Sequence, residues 1–374
     1  MSRMNAIVIS TFAFFASISA VLPIQADDSA ASIAAGGLVP RRETRIVMAK
    51  EVLRISPTKI VVDYDFRNDS DQDVTTEVAF PIPPYTNEWE EGDLAEQAFR
   101  SFKVWVDGKQ IQYEAEAKGF LKGRDVTSIL DADKIDVATY GHFHFVPPKK
   151  GQDAWDVKAP NFNRLSKAEK QALVNQGILS REDDYGQWTV HLQYHWTQTF
   201  PAHSTIHIRH EYKPAVGFSQ VTFDAVDDFI APVHPKPTQD EVEEFKLLSG
   251  FCPDQNFLNG LGRSLQASKL QAMTVDEGMT PGVEWVDFIL TSANTWKQPI
   301  EDFTLIVERS QPLDGRGKPE KDEHYLVSFC SPLNAPVEKL DADQFQVHLT
   351  NFVPTSELHI GYFELPETAP APKK

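Results

Sequence analysis

The feature that most constrains the fold of this 374-residue chain is a repeated alternation of apolar and polar side chains with a period of two. It is clearest in Ile60–Phe66 and Thr205–Tyr212, and the turn-forming run Asn68–Asp71 separates the first of these from Val74–Phe80. Successive side chains of a β-strand point to opposite faces, so this period predicts strands with one buried face. We therefore predict a mainly β protein, built from antiparallel β-sandwich domains with a few short helices.

Local signals place several turns and the remaining strands. Asp107-Gly108 follows the strand predicted at Phe102–Val106 and favours a type I′ hairpin, whose two turn positions both need a positive φ angle. Pro81 ends the strand before it, because proline cannot donate to a β-ladder. Further strands are predicted at Phe143–Phe145, Trp188–Trp196, Val283–Thr291, Phe303–Glu308, Tyr325–Phe329, Phe345–Leu349 and His359–Glu364.

Helix signals are few. Ser166 and Glu169 have the spacing of a capping box, and Gly177 is placed to end the helix that this box would start. Thr238–Glu241 repeats the same spacing. Asp125–Asp131 is predicted to form a third short helix, with its first aspartate as the cap.

A proline-rich stretch at residues 232–237 is predicted to be a stiff linker. It divides the chain into an N-terminal β-sandwich domain at residues 27–231 and a smaller β-rich domain at residues 238–365. The tail at residues 366–374 is rich in proline, alanine and lysine and is predicted to be disordered.

The first residues have the layout of a secretory signal peptide. Arg3 precedes an apolar run from Ala6 to Leu22, and the small residue Ala26 stands directly before Asp27. This layout predicts cleavage after Ala26 and a mature protein that is periplasmic or secreted. A membrane anchor is the alternative, although a run of about 17 residues is at the short limit for a spanning helix. No later stretch is apolar enough to span a membrane.

Charge and cysteine content narrow the classes of function. A formal net charge of −18 argues against binding to nucleic acid or anionic lipid, because both are themselves negative. Cys252 and Cys330 are the two cysteines of the chain. In an oxidising compartment such a pair predicts a disulfide, and two buried free thiols are the alternative.

Several motifs occur in the order found in a known family. They are Ala34–Leu38, Phe66–Asn68, Ala79–Pro83, Tyr194–Pro201, His210–Pro214, Asn294–Ile300 and Val327–Cys330. Through them, roughly residues 27–363 resemble the DUF4424 family of exported bacterial proteins, which implies an extracytoplasmic protein and no particular activity. Residues 46–125 are also similar to a vault/inter-alpha-trypsin-type β-sandwich domain, which implies a sandwich and an interaction role.

Histidines are concentrated in one region, because seven of the eleven lie between His142 and His210. His191 and His195 share a face of one predicted strand, and His207 lies on a face of the next. If the strands align these faces, the imidazoles of His142, His191, His195 and His207 are candidate ligands for Zn²⁺ or Cu²⁺. The alternative is a polar, solvated sheet face, and no His-Glu-x-x-His pattern fixes a metal site.

Aromatic residues follow the same strand. Exposed rings there would form a platform for a carbohydrate or a peptide, whereas packing in the core at the strand end is the alternative. The candidate binding residues are Tyr194, Trp196, Gln198 and Phe200, together with Trp89 and Trp155 in polar loops.

These patterns favour an exported, non-catalytic binding or interaction module whose partner is an envelope protein or a glycan. The chain has no Gly-x-Ser-x-Gly elbow and no phosphate-binding loop, and no cofactor is predicted. The alternative is a metal-dependent or carboxylate-based hydrolase that uses the His-rich sheet face. That function requires the candidate histidines, or an acid pair, to meet in one cleft.

Overall fold

Two large β-sheets face each other across the main hydrophobic core. The structure is a computed structural model that describes residues 28–34, 37–86, 101–139, 144–146, 156–158, 165–181, 186–220, 229, 239–272, 282–309 and 325–364. Within these ranges strands far outnumber helices, which confirms the predicted mainly β class.

The first sheet has seven strands and is antiparallel throughout. Its strands are β1 (Ser29–Ala34), β2 (Gly37–Pro40), β5 (Val74–Pro81), β6 (Tyr85–Thr86), β9 (Glu114–Leu121), β10 (Arg124–Asp125) and β13 (Thr189–Phe200). They are ordered β10-β9-β13-β5-β1-β2, and β6 pairs with the beginning of β13.

The second sheet has eight strands in the order β19-β20-β17-β3-β4-β14-β7-β8. They are β3 (Ile46–Ser56), β4 (Lys59–Asn68), β7 (Lys103–Val106), β8 (Lys109–Gln110), β14 (Ser204–Tyr212), β17 (Ile300–Glu308), β19 (Glu338–Lys339) and β20 (Gln344–Phe352). Its pairs are antiparallel except for β3 and β17, which run parallel.

The parallel pair joins two parts of the chain that the sequence pattern predicts to lie in different domains. β17 lies alongside β3 from Phe303 opposite Glu51 to Val307 opposite Ile55. Segments from both sides of residues 232–237 therefore belong to one sheet, and the predicted boundary does not separate two independent sheets. Residues 232–237 themselves, like the tail at 366–374, lie outside the described ranges.

Smaller elements surround this sandwich. A four-stranded sheet is ordered β15-β16-β21-β18, and β11 pairs with β12. These strands are β11 (His144–Val146), β12 (Asp156–Lys158), β15 (Val216–Gln220), β16 (Gly282–Phe288), β18 (Leu326–Phe329) and β21 (Leu358–Glu364). The described helices are α1 (Thr127–Ala132), α2 (Lys167–Asn175), α3 (Gln239–Gly250) and α4 (Gln255–Ala272), with 3₁₀ turns at Thr291–Thr295 and Pro332–Asn334.

Aromatic side chains fill the space between the two large sheets. The Phe66 ring on β4 lies 5.8 Å from the Phe200 ring on β13, and Phe102 stacks on Tyr194 at 4.1 Å between centroids. All four side chains are buried. Large buried rings supply much of the apolar area that a core removes from water, so the inner sheet faces hold the sandwich together.

The hairpin and capping-box signals are confirmed, whereas the predicted cap Asp125 is not: α1 starts at Thr127, and Val126 occupies its N-cap position without a side-chain hydrogen bond. Asp107 and Gly108 have φ angles of 48° and 77°, as a type I′ turn requires, and they connect β7 to β8. Ser166 and Glu169 form both hydrogen bonds of the capping box that starts α2. Gly177 follows the helix with a φ angle of 71°.

Candidate functional site

The 12-residue strand β13 extends beyond its neighbour β9. β9 pairs with β13 as far as Glu114 opposite His195, whereas β5 accompanies β13 to its last residue, Phe200. From Trp196 onward, the described part of the chain therefore places a strand on only one side of β13. We call residues 196–199 the open edge.

A groove of about 570 Å³ lies beside the open edge, and we call it the edge groove. The β7–β8 hairpin and the segment after it supply an apolar wall, formed by Val106, Ile111 and Tyr113. The groove exists because the chain leaves the second sheet after β8 and joins the first sheet only at Glu114, so the space next to residues 196–199 is not filled by β9.

The opposite wall of the edge groove carries a fixed polar network. Glu77 on β5 binds His195 Nδ1 at 2.7 Å and accepts from the Thr197 hydroxyl at 2.9 Å. Because an ionised carboxylate only accepts hydrogen bonds, His195 Nδ1 is the donor in this contact. His195 Nε2 is left 4.0 Å from the carboxylate of Glu114, whose side chain is 86% exposed. The network therefore holds the imidazole in one orientation at the groove wall.

The aromatic candidates on β13 are in the core. Tyr194, Trp196 and Phe200 are 3%, 5% and 1% exposed, so they do not form the exposed platform that was predicted as one alternative. Alternation explains this result, because the even-numbered residues of β13 point toward the second sheet. Trp196 also lines the edge groove, and its indole N–H has no hydrogen-bond partner in the described protein.

Two further candidate residues of β13, Gln198 and Tyr194, line different cavities. Gln198 lines the edge groove and donates from its amide to the Thr199 carbonyl at 2.8 Å. Tyr194 faces a smaller cavity of about 100 Å³, which it shares with Tyr212 and Trp285. We assign the candidate site to the edge groove because it is the larger of the two cavities and collects His195, Trp196 and Gln198.

The three candidate histidines within the described residues do not meet in one cleft. His207 is on the outer face of the second sheet, where it contacts Asp65 at 3.1 Å and Asp63 at 3.3 Å. His191 and His195 are on the first sheet, on the same face of β13 but four residues apart, and burial lowers the pKa of His191. Within the described residues, no group of three His, Cys, Asp or Glu side chains is placed to hold a metal ion.

Four residues singled out from the sequence cannot be placed in this way. His142, Trp89, Trp155 and Ala26 lie outside the described residues, and the roles assigned to them stay predictions. Among the helices that the structure describes, none is long and apolar enough to cross a membrane.

Sequence reasoning missed a buried ionisable pair close to the groove. Asp28 and His210 are both 0% exposed, and His210 Nε2 lies 3.5 Å from an Asp28 carboxylate oxygen. Burial lowers the pKa of His210 to about 3. The sequence contains a signal for one member of this pair. His207, Arg209 and Glu211 alternate along β14 and lie on its outer face, so His210 lies on its inner face.

These features define a mainly antiparallel β-sandwich protein with a groove beside an open strand edge. The chain belongs to the DUF4424 family, described as a domain of unknown function, whose profile matches residues 26–360. This confirms the resemblance seen in the sequence, while the likeness to a vault/inter-alpha-trypsin-type domain stays a prediction.

The other comparisons are weaker. No curated protein matches the sequence significantly. One solved structure that matches is described as a candidate nutrient-binding protein from Legionella pneumophila. It is 13% identical, covers 90% of this chain and 70% of its own, and has a TM-score of 0.37. A likeness at this level carries no argument about the function of the present chain.

Proposed function

We propose that the protein is an exported, non-catalytic binding module of the bacterial envelope and that the edge groove holds its ligand. The observation that carries this proposal is the groove of about 570 Å³ that lies directly against an open strand edge. It combines an apolar wall, formed by Val106, Ile111 and Tyr113, with the fixed polar groups of Glu77 and His195. Ligand sites typically pair apolar walls with a few placed polar groups in this manner.

The polar network of the groove supports binding rather than catalysis. A histidine base activates a hydroxyl or thiol that lies within hydrogen-bond reach. Here the nearby Thr197 hydroxyl donates to Glu77, and the other ring nitrogen of His195 faces the carboxylate of Glu114. Of the histidines named for the hydrolase alternative, His191 and His195 lie on the first sheet and His207 lies on the second, so we propose no second function.

Export is supported by the signal-like layout before Asp27 and by the cysteine pair. When the full chain is expressed in a Gram-negative host, we expect periplasmic protein whose N-terminal sequence starts at Asp27, and this start can be read by Edman degradation. Ala26→Phe should leave the leader attached, because signal peptidase requires a small residue at this point. Full-length protein in the cytoplasm with two free thiols would contradict export.

The role of the edge groove can be tested by photo-crosslinking in cells. A photoreactive residue at Gln112, which is exposed and lines the groove, should give one discrete adduct that mass spectrometry identifies as a protein or a glycan. Thr350, which is exposed on the outer face of the second sheet, is the matched control position.

Ile111→Arg places a charge on the apolar wall and should abolish the Gln112 adduct while the protein stays folded by circular dichroism. The proposal fails if the adduct persists in this variant, or if the positions Gln112 and Thr350 give the same adducts.

A further inference from the structure

We infer that the ligand of the edge groove is an extended peptide that adds a strand to the first sheet along Thr197 and Thr199. The inference rests on the proposed function and names the class of ligand. An exposed strand edge binds such a peptide through main-chain hydrogen bonds, and alternate side chains of the peptide give specificity.

The backbone of β13 points the required groups toward the groove. The Leu192 carbonyl accepts from the Ile82 N–H at 3.0 Å, on the side of the strand where β5 lies. Backbone groups of successive strand residues point to opposite sides, so the even-numbered residues of β13 face β5 and the odd-numbered residues face β9. Thr197 and Thr199 therefore direct N–H and C=O groups toward the side that β9 leaves open.

Gly119 on β9 supports this assignment from the other strand. Its N–H donates to the Thr127 hydroxyl at 3.0 Å, and its carbonyl accepts from the Val126 N–H at 2.8 Å. Gly119 is opposite Val190, so its backbone groups face away from β13. The backbone groups of the even-numbered residues of β9 therefore face β13. The one nearest the open edge is Glu114, which lies opposite His195.

Two side chains at the open edge show which hydrogen-bonding groups there already have a partner and which do not. The Gln198 amide donates to the Thr199 carbonyl at 2.8 Å, so the chain itself supplies a donor to one outward acceptor. The indole N–H of Trp196 is buried and has no hydrogen-bond partner among the described residues. A buried donor without a partner is unfavourable, and a peptide carbonyl is an acceptor that would satisfy it.

The walls of the groove set the side-chain pattern of the peptide. A strand added next to Thr197 would point every second side chain inward, against Val106, Ile111 and Trp196, and these positions require apolar residues. The other side chains would project outward beside Glu114, whose carboxylate is largely exposed. With a net charge of −18 on the whole chain, these positions favour lysine or arginine.

The test uses an acetylated, amidated octapeptide of alternating valine and lysine, with a peptide of the same composition in block order as control. We expect the alternating peptide to bind the full protein at least tenfold more tightly than the block peptide, measured by calorimetry. Reversing the charge at residue 114 should reverse the charge preference of the groove. Glu114→Lys should lower the affinity for the valine–lysine peptide at least fivefold and allow a valine–glutamate peptide to bind.

Main-chain pairing is tested by a matched pair of variants. Thr197→Pro removes the outward N–H, and proline is tolerated at strand edges because no ladder bond is lost there. Thr197→Val keeps that N–H, and both variants lose the hydroxyl bond to Glu77. Because both variants lose the same hydroxyl, we expect Thr197→Pro to bind the alternating peptide at least tenfold more weakly than Thr197→Val does. In protein labelled with ¹⁵N-tryptophan, binding should shift the Trp196 indole resonance, assigned through Trp196→Phe.

The outcomes separate this inference from the proposed function. Peptide binding that is unchanged by Thr197→Pro and by N-methylation of the peptide backbone would overturn strand addition, because the groove would then be used without main-chain pairing. Failure of the alternating peptide to bind, together with an identified glycan adduct at Gln112, would also overturn it and leave the groove as the binding site. A Gln112 adduct that is indifferent to Ile111→Arg would overturn both.

Discussion

Acidification from neutral pH to pH 5 is expected to lower the free energy of unfolding by about 2 kcal/mol through His210 alone. Burial lowers the pKa of this histidine from its ordinary value of 6.5 to about 3, because the core penalises the charged imidazolium. The unfolded chain binds a proton at this residue below about pH 6.5, whereas the folded protein does not until about pH 3. The contribution of His210 to the free energy of unfolding is therefore fully present above about pH 6.5. It falls by about 1.4 kcal/mol per pH unit between about pH 6.5 and about pH 3.

The surroundings of His210 make this effect large. Its ring is packed against Tyr64, Phe80 and Trp196, with centroids 4.7 to 5.4 Å away, and none of these rings stabilises a full charge as water does. The carboxyl group of Asp28 faces it, with one oxygen 3.5 Å from His210 Nε2. An ionised Asp28 would favour the imidazolium, but burial is the dominant cause of the lowered pKa.

Urea unfolding followed at several pH values between 7.5 and 5 measures this effect. His210→Gln keeps a polar side chain but does not titrate, so its stability should depend less on pH by about 2 kcal/mol over this range. His203→Gln is the matched control, because His203 is exposed at the surface beside Asp71. If the pH dependence of His210→Gln equals that of the wild type, the imidazole is not buried in its neutral form.

The buried pair also shows what alternation can and cannot predict. The odd-numbered residues of β14 contain the charged Arg209 and Glu211, so the pattern places His210 inside. The partner Asp28 is 182 residues earlier in the chain, and local periodicity carries no information about a contact at that distance. The same limit applies to His195 and His207, whose strands are close in sequence but belong to different sheets.

Two of the elements that the sequence did not predict, β3 and α4, have irregular local patterns. β3 contains a register shift between Met48 and Lys50 in its pairing with β4, and a bulge of this kind interrupts the period of two. α4 contains Gly260 and Gly262, which disfavour a helix interior by about 1 kcal/mol each. Its formation therefore depends on packing, and Leu261 between the two glycines is buried.

The edge groove could not be predicted from residue types. The sequence around Trp196 and Phe200 is compatible both with an exposed aromatic platform and with packing in the core. Strand pairing decides which of the two occurs. What creates the groove is the point where β9 begins, at Glu114 opposite His195, five residues before β13 ends. That point depends on where the chain leaves the second sheet after the β7–β8 hairpin and where it joins the first sheet.

The other large effect is expected when the cysteine pair is removed. Cys252 and Cys330 form a disulfide, as predicted, with Cα atoms 5.0 Å apart and a sequence separation of 78. A loop of this size restricts the unfolded chain enough to contribute about 4–5 kcal/mol in the chain-entropy treatment. The double variant Cys252→Ala/Cys330→Ala should lose about that amount in urea unfolding.

The loss should be concentrated around α3 and α4. The bridge begins two residues after α3 and connects it to the end of β18, beside a small core of Leu248, Phe251, Leu261, Val283 and Phe363. Because this cluster is small and separate from the main core, it has little apolar burial of its own to replace the covalent link. Hydrogen exchange of the double variant should therefore increase first in residues 239–272.

A matched variant separates the covalent link from its neighbouring hydrogen bond. The Ser328 hydroxyl donates to the Phe251 carbonyl at 2.8 Å, so Ser328→Ala removes a polar contact next to the bridge while leaving both sulfurs in place. We expect this variant to lose only about 1 kcal/mol. Wild-type protein treated with a reductant should match the double variant in both stability and exchange. A loss below about 1 kcal/mol on removing both cysteines would mean that packing already closes this loop in the unfolded ensemble, and the bridge would then stabilise little.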